Sequence, residues 1–227
     1  MAGLFNEPER HMKLIQETTQ ALSRQPNHTT RSSANFLIRV FSKQIDGVWY
    51  ALGLNEQNQA VACAFTNRSR DLATKSVAQS MRFVGVVVGE GSNGADDWFE
   101  ILHGLHLGKP SGPPNSCDLS HVSEFRRRVY GILNMVPRGY VTTYGAIAKR
   151  LGSKRISRGV GSAVAANPLP LIIPCHRVVP ASLSVGNYGT PGGKPSQGAP
   201  IKRTLLQCEG VKFDGDKISK QSVWYPK

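Results

Sequence analysis

Residues 140–179 read YVTTYGAIAKRLGSKRISRGVGSAVAANPLPLIIPCHRVV, and the rest of the chain is understood from them. Thr142 or Thr143 is placed to cap a helix over Tyr144 to Leu151, which Gly152 stops. A further helix runs from about Lys154 to Ala166. It ends before Asn167-Pro168, because the residue preceding a proline avoids helical backbone. Two short helices joined by about three residues predict a helix-turn-helix. The second helix is made of small residues, Ser157-Arg158-Gly159-Val160-Gly161-Ser162-Ala163. Two glycines inside a helix cost about 1 kcal/mol each relative to alanine, so the smallness has a use. Either the axis packs tightly on another helix, or a bare face enters a nucleic-acid groove by shape, with Arg158 as its one long side chain. A helix that reads bases in the major groove carries several Asn, Gln, Arg or Lys residues. This one does not, which argues against a transcription factor.

The apolar run 169–173 leads into Pro174-Cys175-His176-Arg177. A thiolate is the nucleophilic form of cysteine, and cationic or imidazole neighbours favour it. Neighbours in an extended chain point to opposite faces, so His176 needs a turn or a bridging water to reach the Cys175 proton. A third group must orient the imidazole, and spacing does not choose it. The other cysteines, Cys63, Cys117 and Cys208, form no CxxC pair, which excludes a zinc ribbon. They read as small buried side chains.

The chain has 227 residues, 28 Lys plus Arg against 15 Asp plus Glu, and a formal charge of +13. Residues 1–118 carry 11 basic and 11 acidic side chains, whereas 119–227 carry 17 and 4. A half that basic suggests a polyanion, nucleic acid before an anionic membrane surface. The 40% apolar content excludes wholesale disorder. No apolar run approaches the ~20 residues of a bilayer crossing, and the N-terminus lacks a signal-peptide stretch. The expectation is a cytoplasmic protein associated with the nucleoid, or a nuclear one in a eukaryote.

Outward from the core motif, the pattern is α+β. Residues 1–34 form a polar extension with one amphipathic helix around Glu9 to Leu22. Residues 35–107 read as an α/β domain with a small antiparallel sheet. Its strands are Phe36 to Phe41, a second beginning at Val48 after the Asp46-Gly47 turn, and Ala60 to Phe65. A helix follows over 70–82, then a short buried run at Phe83 to Val88 and a helix over Asp97 to Leu107. Residues 108–118 are a Pro- and Gly-rich linker. Residues 119–227 form a mostly helical domain. Ser123 caps a helix striped by Phe125, Val129, Ile132, Leu133 and Val136, and the last helix runs from Ile201 to Glu209 before Gly210. Gly89, Gly91 and Gly94 match a dinucleotide-binding pattern, but no second parallel strand follows. They read as a glycine-rich turn, and no cofactor is expected.

Several of these segments resemble the O6-alkylguanine-DNA alkyltransferases: Asn167-Pro168, Ile173 to Val179, Gly186-Asn187-Tyr188, Leu205-Leu206 with Glu209-Gly210, Tyr140 to Tyr144, and Arg158 to Gly161. The resemblance covers about residues 119–212, with a looser match at Phe99 to Pro110. It implies a ribonuclease H-like N-terminal domain and a single-turnover repair protein, acting as a monomer on duplex DNA that contains O6-alkylguanine or O4-alkylthymine. By resemblance, Cys175 is the alkyl acceptor, His176 deprotonates it through a water, Glu209 orients His176, and Asn167 fixes the turn. Tyr144 protonates the departing guanine and crowds a phosphate, while Arg158 fills the gap left by the flipped base. Arg155, Ser157, Gly159 and Gly161 face the minor groove. Val178, Tyr188, Asn187 and Pro170 line the guanine pocket.

The loop after Tyr188 is longer than the family's Ser-Gly-Gly type. Cys63, Cys117, His103 and His106 do not match the structural zinc site of some members, so no metal is expected. Alkyltransferase-like proteins, which bind lesions without transfer, commonly carry Trp at the acceptor position. Cys175 favours transfer over that alternative.

Overall fold

Asp46 and Gly47 both take left-handed backbone, with φ of 47° and 77°. They close a two-residue hairpin between strands β1 (Leu37–Ile45) and β2 (Val48–Leu54). This computed structural model describes residues 37–80, 85–88, 95–110 and 117–226. The N-terminal extension, Gly89, Gly91, Gly94 and the middle of the linker lie outside them.

Strand β3 (Ala60–Thr66) continues the antiparallel meander after the Asn55–Gln59 turn. A fourth strand, β4 (Gly85–Val88), adds to β1 in parallel, giving the order β3-β2-β1-β4. The antiparallel sheet expected from sequence therefore covers three strands. The fourth is parallel because helix α1 (Arg70–Ser80) carries the chain back across the sheet before β4 begins. Helix α1 buries Ala73 and Val77 against Ile38, Val40, Ala51, Val61 and Ala64 on one sheet face.

The opposite face builds the larger core. Tyr50, Leu52 and Phe65 meet Trp98, Phe99 and Leu102 of helix α2 (Asp96–His106). The same cluster continues through Val129, Tyr130 and Leu133 of α3 (Glu124–Met135), Ile147 of α4 (Tyr144–Arg150) and Val160 of α5 (Ser157–Ala165). An edge strand exposes unpaired main-chain groups that a fold must cover. Along β3, Asp118 N donates to Ala60 O at 3.0 Å and Cys63 N donates to Pro168 O at 2.8 Å. The sheet edge is thus joined to the helical half by its own backbone.

In that half, Thr143 Oγ1 accepts from Ala146 N at 3.1 Å and caps α4. A 3₁₀ turn at Lys154–Ile156 leads into α5, which completes the helix-turn-helix. Ser123 sits at the N-cap of α3, but its hydroxyl makes no capping bond. Strand β5 (Thr142–Thr143) pairs in parallel with β6 (Val178–Val179), and this pins the helix-turn-helix to the segment after Cys175. Helix α6 (Ala199–Cys208) starts two residues earlier than expected, with Pro200 in its first turn, where a missing N–H is harmless. Among the described residues no helix is long and apolar enough to cross a membrane.

Candidate active site

Cys175, His176 and Arg177 form one 3₁₀ turn, closed by Arg177 N donating to Pro174 O at 3.0 Å. In this turn successive side chains diverge by about a third of a revolution, rather than pointing to opposite faces as in an extended chain. His176 Nε2 lies 2.8 Å from Glu209 Oε1, and both residues are buried. Glu209 stands at the C-cap of α6, 33 positions further along the chain.

The Arg177 charge, expected to favour the thiolate, is committed elsewhere. Its Nε and Nη2 donate to the two oxygens of Glu209 at 2.8 and 2.7 Å, and its Nη1 donates to Val136 O at 2.7 Å. The cation that bears on the thiol is Lys202, which sequence reasoning missed. Lys202 is buried, and its Nζ donates to Val178 O at 2.6 Å. The signal was present: Lys202 shares the apolar stripe of α6 with Leu205 and Leu206 and precedes Glu209 by seven residues, on one helix face.

The charges follow from this packing. Burial pulls the Glu209 carboxyl upward, but hydrogen bonds and charge from His176 and Arg177 outweigh it and hold the group at about 2. Burial lowers the His176 imidazole, Glu209 opposes that, and the Arg177 and Lys202 charges reinforce it. An ionised carboxylate only accepts, so the neutral ring carries its proton on Nε2 and leaves Nδ1 as a free acceptor. That Nδ1 is buried with no protein partner. Burial raises the Cys175 thiol, against the opposing effects of Asn167, Lys202 and Tyr188. The resting thiol is therefore protonated. Burial in turn lowers Lys202 to about 8.

Asn167 ties the segment that leads to Cys175. Its Nδ2 donates to Ile173 O at 2.8 Å, and its Oδ1 accepts from Leu169 N at 3.0 Å. At the apex of this turn, buried Leu171 takes φ +73°, a conformation bulky residues rarely adopt. Pro170 bridges to Ile173, and its carbonyl accepts from Cys63 Sγ at 3.2 Å. The Tyr188 hydroxyl is buried beside the thiol without a well-formed hydrogen bond. Tyr144 opens α4 half-buried, its phenol raised by burial and by nearby Cys175. Val178 is fully buried in the β5–β6 pair, and Asn187 is exposed.

Helix α5 buries Val160, Ala163 and Val164 and exposes Arg158, Gly159, Ser162, Ala165 and Ala166. A Cβ at Gly159 would lie 3.5 Å from the Phe125 ring, and one at Gly161 4.0 Å from Tyr144. These are ordinary contacts, so internal packing demands neither glycine. Arg155 is exposed just ahead of the helix, and the Ser157 hydroxyl donates to Lys154 O at 2.6 Å. The long loop after Tyr188 lies on the N-terminal half: Arg68 Nη1 donates to Gly192 O at 2.6 Å. Cys208, expected to be buried, is exposed, because the helix end turns it away from Leu205 and Leu206. His103 and His106 both face the Tyr50 hydroxyl, at 3.3 and 2.9 Å.

A buried thiol thus shares one turn with a neutral, carboxylate-held imidazole, in a half of the chain that also carries a helix-turn-helix with a bare outer face. The family described as 6-O-methylguanine DNA methyltransferase, DNA binding domain, matches residues 124–211. A methylated-DNA–protein-cysteine methyltransferase of Methanothermobacter thermautotrophicus is 36% identical over 98 residues, covering 43% of this chain and 51% of that protein. One from Saccharolobus solfataricus is 40% identical over 128 residues, covering 55% of this chain and 78% of its own length. The crystal structure of the Pyrococcus kodakaraensis O6-methylguanine-DNA methyltransferase superposes with a TM-score of 0.56 at 25% identity, over 77% of this chain and 99% of that one. Mycobacterium tuberculosis OGT in complex with DNA superposes at 0.51 and 26%, over 77% and 92%. The chain belongs to the methylated-DNA–protein-cysteine methyltransferase family. It spans about half the length of the Methanothermobacter relative.

Proposed function

We propose that this protein repairs DNA by moving the alkyl group of O6-alkylguanine in a duplex onto Cys175, once per chain. The observation that carries the reading is a buried, protonated thiol in the same 3₁₀ turn as a neutral His176 held by the Glu209 carboxylate. His176 Nδ1 takes the Cys175 proton through a water. The sulfur then attacks the alkyl carbon in line, forming the S–C bond as the C–O6 bond breaks. The guanine keeps the electron pair and takes a proton from the Tyr144 hydroxyl. The imidazolium supplies the balancing proton. Glu209, clamped by Arg177, stabilises that imidazolium without itself becoming protonated.

The exposed small-residue face of α5 supports approach to the minor groove, with Arg158 as the wedge that replaces the extruded base. A thioether is not readily reversed, so the protein is consumed. O4-alkylthymine offers the same carbon–oxygen bond and is a second substrate. The reaction needs one chain per lesion and no cofactor.

A duplex with labelled O6-methylguanine tests this. Label on Cys175, at no more than one per chain and absent from Cys175→Ser with binding retained, is the expected result. Tight lesion binding with no label would place the protein with the non-transferring lesion binders.

A further inference from the structure

The last described residues return to the helix-turn-helix. Val141 N donates to Ser222 O at 2.8 Å, and Trp224 N donates to Val141 O at 2.7 Å. Val141 is itself buried with Val179, Leu206, Val211 and Ile218, and Val223 packs on that cluster. The C-terminal strap is therefore fixed up to Trp224, and this delivers Tyr225 and Pro226 to the side of α4. There Ala146, Lys149 and Arg150, spaced i, i+3 and i+4, line with them a cleft of about 430 Å³.

Tyr225 is 66% exposed, the most exposed large apolar side chain among the described residues. Lys149 and Arg150 are exposed, and among the described residues no carboxylate pairs with either. A held aromatic ring and two unpaired cations around one cleft are not what core packing requires. Further along the helix-turn-helix, Lys154 and Arg155 of the 3₁₀ turn and Arg158 of α5 are also exposed. The first helix of a helix-turn-helix crosses the sugar–phosphate backbone.

We propose that the Lys149–Arg150–Tyr225 cleft grips the sugar–phosphate backbone of the duplex, beyond the stretch that α5 covers. The inference rests on the duplex-DNA reading above. Lys149 and Arg150 pair with phosphates, and the Tyr225 hydroxyl donates to a phosphate oxygen while its ring packs on a deoxyribose. Besides the Tyr225 ring, the cleft's only apolar side chains are Ala146 and Pro226, which suits a phosphodiester backbone rather than insertion into a lipid surface.

The test uses the full chain and a fluorescein-labelled, unmodified 24-mer duplex, with binding followed by anisotropy across a salt series. The double variant Lys149→Gln/Arg150→Gln should flatten the log K against log salt slope by about 1–2 and weaken binding about tenfold. Tyr225→Ala should weaken it about threefold with little change in slope. The reaction of Cys175 with free O6-alkylguanine base, which needs no duplex, reports that the fold is intact. An unchanged slope in the double variant overturns the proposal, as does loss of binding to phosphatidylserine vesicles with duplex binding unaltered. If the double variant loses the free-base reaction, the single Lys149→Gln decides by the same slope. Failure of the unaltered protein to bind any duplex would instead overturn the DNA reading on which this rests.

Discussion

Arg177 holds both carboxylate oxygens of Glu209, at 2.8 Å through Nε and 2.7 Å through Nη2. The carboxylate that meets His176 is therefore locked in rotation and in charge. A bidentate guanidinium pair of this kind is geometrically stiff, so the His176 ring is oriented through two successive contacts.

Glu209→Gln removes the ionised partner of His176, and the transfer rate constant should fall by about 10²-fold or more, as for other lost acid–base assistance. The same variant has a signature in stability. Glu209 is held at about 2 in the folded chain, below the ordinary 4.5. The carboxylate thus stabilises the fold above pH 4.5, and this is lost as pH falls toward 2, on the order of 3 kcal/mol in all. Urea unfolding between pH 4.5 and 2.5 should show a steep loss in the parent and a shallower one in the variant. Equal slopes would refute the coupling.

Lys202→Met should leave stability at pH 7 equal or improved, since a buried cation is replaced by an apolar side chain of similar volume. The Cys175 thiol should then ionise at higher pH, because the lysine charge favours its thiolate. Iodoacetamide labelling of Cys175 against pH reads this directly. In the parent, the folded lysine near 8 lies below the ordinary 10.5. The unfolded chain therefore binds the extra proton in that window, and the Lys202 contribution makes stability rise from pH 8 to 10.5. The variant should lack that rise.

Arg158→Ala removes the only long side chain on the exposed face of α5. Base extrusion costs a few kcal/mol, so transfer from a duplex should slow by about 10- to 100-fold. Reaction with the free base should fall far less. Equal losses on both substrates would count against a wedge.

Gly108→Ala should destabilise by about 2–4 kcal/mol. Gly108 has φ +70°, and a Cβ there would lie 2.4 Å from Cys208 O, one residue before Glu209. Gly139→Ala is the control: φ is +82°, but the nearest atom is 3.5 Å away, so only the roughly 1 kcal/mol backbone penalty remains. Thermal unfolding of the two variants separates close approach from strain, and Gly108→Ala should also slow transfer.

Local chemistry was the legible part of the sequence. Asp46-Gly47 specifies its hairpin, Thr143 its cap and Gly152 its stop, because each acts within four residues. The direction of β4 was not legible, since its partner β1 lies more than 40 residues away. Glu209 entered through family resemblance, because nothing in a 33-residue separation marks it as the partner of His176. Arg177 was misread for a similar reason: its adjacency to Cys175 hid two contacts, with Glu209 and Val136, that only the folded chain creates.

The outer edge of β3 has a consequence for how the molecule comes apart. Cys63 binds the Pro168 and Pro170 carbonyls, and Ala60 receives Asp118, so the turn that leads to Cys175 is completed by a strand from the neutral half. The shared apolar cluster extends the same continuity. Unfolding should be one cooperative transition, with amides of β3 and of the 168–173 turn exchanging their hydrogens together. A chain cut within residues 111–116 should reassemble from its two pieces in trans and regain alkyl acceptance only when both are present.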